Sequence, residues 1–216
     1  MRCLKSEGGR EIWLVQRAGQ SPVTLKRWPL TASLIFKLGL GIAQPQRQRR
    51  GARRLLRAGV RTPPPRGPLR LRRRPWRIEL EHDYIEGRTA LELLHDRTQP
   101  LERAHWRTLG RAVGEAVAKI AAAGLLHRDL KLSNIVVDTH EPPRAWFIDP
   151  VGVRRAVDPA GRFVRMFDRL AIEPTNRGFD LPAWQWQPVV RAALAKLPRS
   201  TRRTIIARVR ACVREQ

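Results

Sequence analysis

Two short apolar runs, Ile135–Val137 and Ala145–Ile148, constrain this chain more than any other feature. Their β-branched and aromatic residues favour strands. The residues between them, Asp138-Thr139-His140-Glu141-Pro142-Pro143-Arg144, are turn formers, so the segment is expected to be a β-hairpin. Antiparallel strands return a chain to its starting end. Asn134, just before the first run, and Asp149, just after the second, are therefore expected side by side, an amide oxygen and a carboxylate within reach of one hard cation. Mg²⁺ prefers such oxygen ligands and fills the rest of its shell with waters and substrate phosphates. Asp129 lies five residues before Asn134, where it can orient or deprotonate an attacking hydroxyl. Lys131 can neutralise charge on a transferred phosphoryl group. Any one of these side chains, alone in a loop, would be an ordinary solvated turn residue. Their joint spacing around a hairpin is what points to chemistry.

The stretch His127-Arg128-Asp129-Leu130-Lys131-Leu132-Ser133-Asn134, followed by Asp149, resembles the H-R-D-L-x-x-x-N signature and later metal-binding Asp of protein kinases. The resemblance implies an α+β, two-lobed protein-kinase-like fold. Residues 1–86 would form a small antiparallel-sheet N-lobe carrying the nucleotide phosphate side. Residues 87–216 would form a compact, mainly helical C-lobe carrying the catalytic loop. It further implies ATP and Mg²⁺ as cofactors, Asp129 as base, Asn134 and Asp149 as metal ligands, and His127 as a structural hydrogen-bonding residue.

Three short strands are expected near the N-terminus, at Glu11–Gln16, Val23–Arg27 and Ala32–Leu38, with Leu34 and Phe36 alternating against Ile35 and Lys37 in the last. With a kinase-like loop downstream, Lys37 is the candidate strand lysine for the nucleotide phosphates. Gly8-Gly9 and Gly19 are the available glycine turns, and neither forms G-x-G-x-x-G. A helix is expected over Pro45–Ala58, with Gly59 as its stop. Its inward position falls on Gln48, where kinases place a Glu; an amide can hydrogen-bond a lysine but offers it no charge. Thr62-Pro63-Pro64-Pro65 reads as a rigid connection, and the Arg70–Arg77 run as solvated or disordered charge. Ile78, Leu80, His82 and Tyr84 then alternate with Glu79, Glu81 and Asp83, as in a half-buried strand. In a kinase Asp83, Tyr84 and Ile85 would form the hinge that meets adenine, ending at Gly87. Helices are expected over Thr89–Asp96, Ala104–Ala123, Arg162–Ile172, Trp184–Leu197 and Ser200–Arg214. Phe179, Trp184 and Trp186 could form a lipid- or sugar-facing cluster, although helix packing is the simpler reading.

The chain carries 43 Lys plus Arg against 19 Asp plus Glu, a net charge of +24, and only six of the 43 are Lys. Codon usage can contribute to so lopsided a ratio. Such a surface attracts nucleic acid, anionic lipid or a phosphorylated glycolipid, without choosing among them. Cys3 and Cys212 make no disulfide framework, which suits a reducing, cytoplasmic compartment. No apolar run follows the first residues as a signal peptide would require, and Leu34–Ala43 is too short to span a bilayer, so any membrane contact is expected to be peripheral.

Within the superfamily, the chain from Ala32 to Leu170 is most similar to the bacterial lipopolysaccharide-core kinases, which phosphorylate Kdo or heptose sugars. The features that carry this are Arg57-Ala58-Gly59-Val60-Arg61-Thr62-Pro63, Tyr84-Ile85-Glu86-Gly87 and Ala122-Ala123-Gly124-Leu125-Leu126 before His127. The departures from the wider kinase pattern are the missing helix Glu, the missing glycine loop and Pro150 where Phe is usual. A glycolipid acceptor is the first expectation. Lys131, which protein kinases carry, keeps a protein or small-molecule acceptor open. Gln48 and the poor glycine loop keep open a catalytically weak, nucleotide-binding scaffold. A pure nucleic-acid binder would need reading motifs that are absent.

Overall fold

The computed structural model describes residues 1–96, 102–176, 178 and 182–214. Its N-terminal part is an antiparallel sheet in the order β1-β2-β3-β5-β4. The strands are β1 (Arg2–Glu7), β2 (Arg10–Val15), β3 (Val23–Pro29), β4 (Pro65–Arg73) and β5 (Trp76–Asp83). Two helices lie between β3 and β4, α1 (Ala32–Gly39) and α2 (Gln44–Arg57). The expected strands at 11–16 and 23–27 are present. The strand expected at Ala32–Leu38 is not: this stretch is α1, so Lys37 is a helix residue. Thr31 caps it through a 3.2 Å bond from the Leu34 amide, and Leu34 and Leu38 pack on Trp28, Ile78 and Leu80. Their i, i+4 spacing is helical, and that contact overrides the brief alternation that suggested a strand.

The Arg70–Arg77 run is also ordered, as the β4–β5 hairpin. Directly opposite residues of an antiparallel pair share a face. Lys26 lies opposite Leu80 and Thr24 opposite His82 on one side, while Arg27 lies opposite Glu79 on the other. Glu79 and Glu81 are nonetheless buried, each beneath arginines. Glu79 Oε1 accepts from Arg27 at 3.1 Å and Arg77 at 2.8 Å, and its Oε2 accepts from Arg72 at 3.1 Å. Glu81 Oε1 accepts from Arg17 at 2.7 Å. Burial pushes the Glu79 carboxyl up, but Arg72, Arg77 and Arg27 together hold it below the usual range. The strand is thus covered on both faces.

After β5 the chain enters the C-terminal part. There β6 (Gly87–Thr89), β8 (Ile135–Asp138) and β9 (Ala145–Phe147) form one small sheet, and β7 (Leu125–His127) pairs with β10 (Val153–Arg155). The helices are α3 (Ala90–His95), α4 (Arg103–Ala122), α5 (Pro159–Asn176), α6 (Ala183–Leu194) and α7 (Arg199–Arg214). Val117, Ile120, Leu130, Ile135, Met166 and Ile205 sit fully buried among them. α6 packs closely on α4: a Cβ on Gly114 would lie 2.2 Å from the Val189 carbonyl oxygen. Trp186 packs into this core and Trp184 lies beneath the Arg103 guanidinium, as helix packing requires; Phe179 falls outside the described residues. Among the described residues no helix is long and apolar enough to cross a membrane.

Candidate active site

The β8–β9 hairpin forms as expected, with Ile135 opposite Phe147. Ile148 N donates to Asn134 O at 2.9 Å, so Asn134 and the segment leading to Asp149 meet at one end. Asp149 has φ 55° and ψ 57°, the single positive-φ non-glycine among the described residues. Aspartate tolerates this region better than most residues, and such strain collects at functional positions.

Around Asp129 the loop is held from several sides. His127 is fully buried, and burial pushes its imidazole down to about 4, so it is neutral at pH 7. Its Nδ1 accepts from the Asp129 backbone N–H at 3.3 Å, which places the ring proton on Nε2. Asn134 Nδ2 donates to the Asp129 carbonyl at 2.9 Å and to its Oδ2 at 3.3 Å, leaving the Asn134 amide oxygen for other partners. Lys131 Nζ sits 3.3 Å from Asp129 Oδ1. From α5, the Glu173 carboxylate accepts from Ser133 N at 2.8 Å and Ser133 Oγ at 2.6 Å, and Arg169 donates to Arg128 O at 3.0 Å. Glu173 escapes sequence reasoning because nothing local ties it to a loop forty residues away.

Opposite this loop the sheet contributes Lys26, not Lys37. Lys26 Nζ donates to Asp149 Oδ1 at 3.0 Å. Gln48, buried on α2, joins both: with its amide assigned in the orientation that satisfies both neighbours, its nitrogen donates to Asp149 Oδ1 at 2.7 Å and its oxygen accepts from Lys26 Nζ at 3.0 Å. Gln48 therefore takes the inward position expected of it and orients the lysine, while the balancing charge comes from Asp149. Burial is the largest influence on the Asp149 carboxyl and pushes it up; the Lys26 charge and hydrogen bond outweigh it and hold the group below its ordinary value. Lys37 lies on the exposed side of α1 and does not line the cleft.

The cleft between these two sides has a volume of about 580 Å³, and Asp83, Tyr84, Ile85, Asn134 and Ile148 contribute to its walls. Tyr84 N donates to Pro22 O at 3.2 Å and Asp83 N to Pro64 O at 3.4 Å, which fixes this segment. His82 Nδ1 donates to Pro63 O at 3.2 Å, since a carbonyl can only accept; its Nε2 is left as an unpaired acceptor in the cleft wall. Burial, then the Lys26 charge, pushes His82 down to about 4. At the mouth, Gly8 in the β1–β2 turn lies with Lys5 and Arg10 beside Lys26 and Asp149. A glycine turn thus stands over the lysine although it lacks the G-x-G-x-x-G spacing.

The donor set suits a hard divalent cation. Asn134 and Asp149 offer an amide oxygen and a carboxylate, both lining one cleft, with room for phosphate oxygens and water. Among the described residues no group of three or more His, Cys, Asp or Glu is gathered for a metal. A cation held by one amide and one carboxylate does not need such a group. α2 fixes this region to the C-terminal part. Arg47 donates to Val151 O at 3.3 Å and Arg54 to Val153 O at 3.1 Å, and a Cβ on Gly51 would fall 1.9 Å from Pro150 O.

Solved structures agree with this architecture. Three crystal structures of mutants of the Mycobacterium tuberculosis PknI kinase domain superpose with TM-scores of 0.50, 0.50 and 0.51 at 15%, 16% and 16% identity. They cover 96%, 96% and 97% of this chain and 94%, 93% and 93% of theirs. At such low identity the likeness concerns the fold alone, an α+β protein-kinase-like fold. The model of the lipopolysaccharide kinase (Kdo/WaaP) family matches residues 31–160, more than half of the chain and the whole stretch from α1 through the Asp129 loop to Asp149. The chain belongs to that lipopolysaccharide kinase (Kdo/WaaP) family and is an ATP-dependent phosphotransferase.

Proposed function

We propose that this kinase transfers the γ-phosphate of Mg²⁺-bound ATP to a sugar hydroxyl of lipopolysaccharide core or a similar anionic glycolipid. The observation that carries the reading is the Lys26–Gln48–Asp149 contact lining one cleft with Asn134, whose amide in turn holds Asp129 beside Lys131. Asp83, Tyr84 and Ile85 receive the adenine. Lys26, held in place by Gln48, takes the nucleotide phosphates, a role the sequence suggested for Lys37. Asn134 and Asp149 hold Mg²⁺, which when bound screens the phosphate oxygens and orients them. Asp129 accepts the proton of the acceptor hydroxyl as its oxygen bonds to the γ-phosphorus. The bond from that phosphorus to the β–γ bridging oxygen breaks, and ADP leaves with the electron pair. Lys131, beside Asp129, offsets negative charge on the group in transit.

Family membership supports the glycolipid acceptor, and so does the charge: every ionised side chain from Ile12 to Ile78 is basic. The test is phosphoryl transfer from labelled ATP to purified lipopolysaccharide core stripped of its phosphates, beside a lysate protein mixture. Label in the glycolipid that disappears in Asp129→Asn is the expected result. Label in protein alone would move the assignment to a protein kinase, the reading that Lys131 keeps open.

A further inference from the structure

The outward side of α1 is apolar where a surface helix would normally be polar. Leu34 and Leu38 turn inward to Trp28, Ile78 and Leu80. Ile35 and Phe36 remain 54% and 68% exposed, and the following turn exposes Leu40 and Ile42 by 57% and 53%. The β4–β5 hairpin adds Trp76, also exposed, whose carbonyl accepts from Leu30 N at 3.0 Å just before α1. Contiguous exposed apolar surface of this kind marks a contact site more often than chance.

Several of the cations beside it are unpaired. Arg72 and Arg77 are held by Glu79, but Lys37, Arg50, Arg73 and Arg74 have no carboxylate within ion-pair distance among the described residues. Arg50 donates to the Gly41 carbonyl, which fixes a guanidinium at the end of the ridge, and Arg73 and Arg74 flank Trp76 through the hairpin turn. Apolar side chains rimmed by unpaired cations match the boundary between acyl chains and anionic headgroups. A nucleic acid would satisfy the cations and leave Ile35, Phe36, Leu40 and Ile42 in water.

We propose that α1, the Leu40–Ile42 turn and Trp76 form a docking ridge that inserts into the headgroup layer of an anionic bilayer, with Lys37, Arg50, Arg73 and Arg74 on lipid phosphates. The chain passes from this ridge into Gln44, which lines the cleft mouth with Lys26 and Asp149, so docking brings that mouth to the lipid surface. The proposal deepens the glycolipid reading and rests on it for its substrate, although the binding can be measured without an acceptor.

The experiment is co-sedimentation of the full chain with phosphatidylcholine vesicles, with and without phosphatidylglycerol, for wild type, the double variant Ile35→Ser/Phe36→Ser and the double variant Arg73→Gln/Arg74→Gln. Wild type should pellet with the anionic vesicles and not with the neutral ones. The apolar variant should bind at least about tenfold more weakly, and the arginine variant about fivefold more weakly per charge removed. Mg²⁺-ATP binding should be unchanged in both, which shows that they fold. Equal pelleting with both vesicle types, or wild-type pelleting by the apolar variant, would overturn the proposal. So would a wild-type dimer that the apolar variant dissociates, or oligonucleotide binding without vesicle binding. Vesicle docking lost with the ridge, but no phosphate transferred to any glycolipid, would keep the docking surface and remove the acceptor assignment. Transfer to glycolipid without vesicle binding would do the reverse.

Discussion

On the outer face of the β3–β5 pair, Glu79 and Glu81 are buried under arginines that saturate them: three guanidinium groups reach Glu79 and two reach Glu81. On the inner face of the same strands, Lys26 meets the single carboxylate of Asp149, and Gln48 bridges them with an uncharged amide. The two outer carboxylates are buried and already paired with arginines, so their work is structural. The inner charges can be separated by a ligand that brings its own opposite charges, phosphates for the lysine and a cation for the aspartate. On adjacent residues of one strand, Arg27 and Lys26, the same chemistry serves folding on one side and, in the proposed function, binding on the other.

The comparison breaks most sharply on the catalytic side. Asp129→Asn should lower turnover by about 10²- to 10⁴-fold, the range for losing a positioned general base, while ATP affinity stays at the wild-type level; steady-state kinetics beside calorimetric binding reads both. On the outer face, Glu79→Gln should cost about 2 kcal/mol in chemical denaturation, below the range for a fully buried pair because Arg72 is more than half exposed. ATP affinity of the folded fraction should not move. Gly51→Ala tests the junction between the faces. The new Cβ must displace Pro150, next to Asp149, so a stability loss of about 1–3 kcal/mol should come with weakened Mg²⁺-ATP binding.

Acid should act next. His82 and His127 are neutral when folded, with values pushed down to about 4 from an ordinary 6.5. Below pH 6.5 the unfolded chain gains protons that the folded chain refuses, so stability falls as pH drops from 6.5 towards 4. The slope reaches at most about 1.4 kcal/mol per pH unit per histidine. Glu79, Glu81 and Asp149 have depressed values and contribute stability that is fully present above their ordinary carboxylate range; it is lost as pH falls from that range through their lowered folded values. A denaturation series should therefore show the histidine loss first, and His82→Gln should flatten part of it. The smallest expected effect is that of Lys37→Ala, which should leave nucleotide affinity unchanged, in contrast to Lys26→Ala.

Much of the Asp129 side of the cleft is legible in the sequence because its geometry is local. The hairpin between Asn134 and Asp149, and the loop from His127 to Asn134, lie within one continuous stretch whose turn residues and β-branched runs determine its shape. The nucleotide side was less so. Lys26 sits inside a strand that alternation predicts, but alternation does not say which face becomes the cleft. Lys37 stands out in the sequence because it ends an apolar run. The helical signals there, Thr31 as cap and Leu34 with Leu38 one turn apart, were outweighed by four residues of apparent alternation. Gln48 was readable as an inward position on a helix, though not its partner, since Asp149 is a hundred residues away. The burial of Glu79 and Glu81 could not be seen either: a glutamate opposite arginines reads as solvated until β3 and β4 flank β5.

In the proposed function, Lys26, Gln48 and Asp149 form the metal-nucleotide end of the cleft. The most direct test of this is calorimetric titration of ATP with and without Mg²⁺ into wild type, Asp149→Ala, Lys26→Ala and Lys37→Ala. Mg²⁺-dependent binding in wild type and Lys37→Ala, loss of the Mg²⁺ dependence in Asp149→Ala and weakened binding in Lys26→Ala is the predicted result. Binding that ignores Mg²⁺, or that is lost in Lys37→Ala and kept in Lys26→Ala, would contradict it.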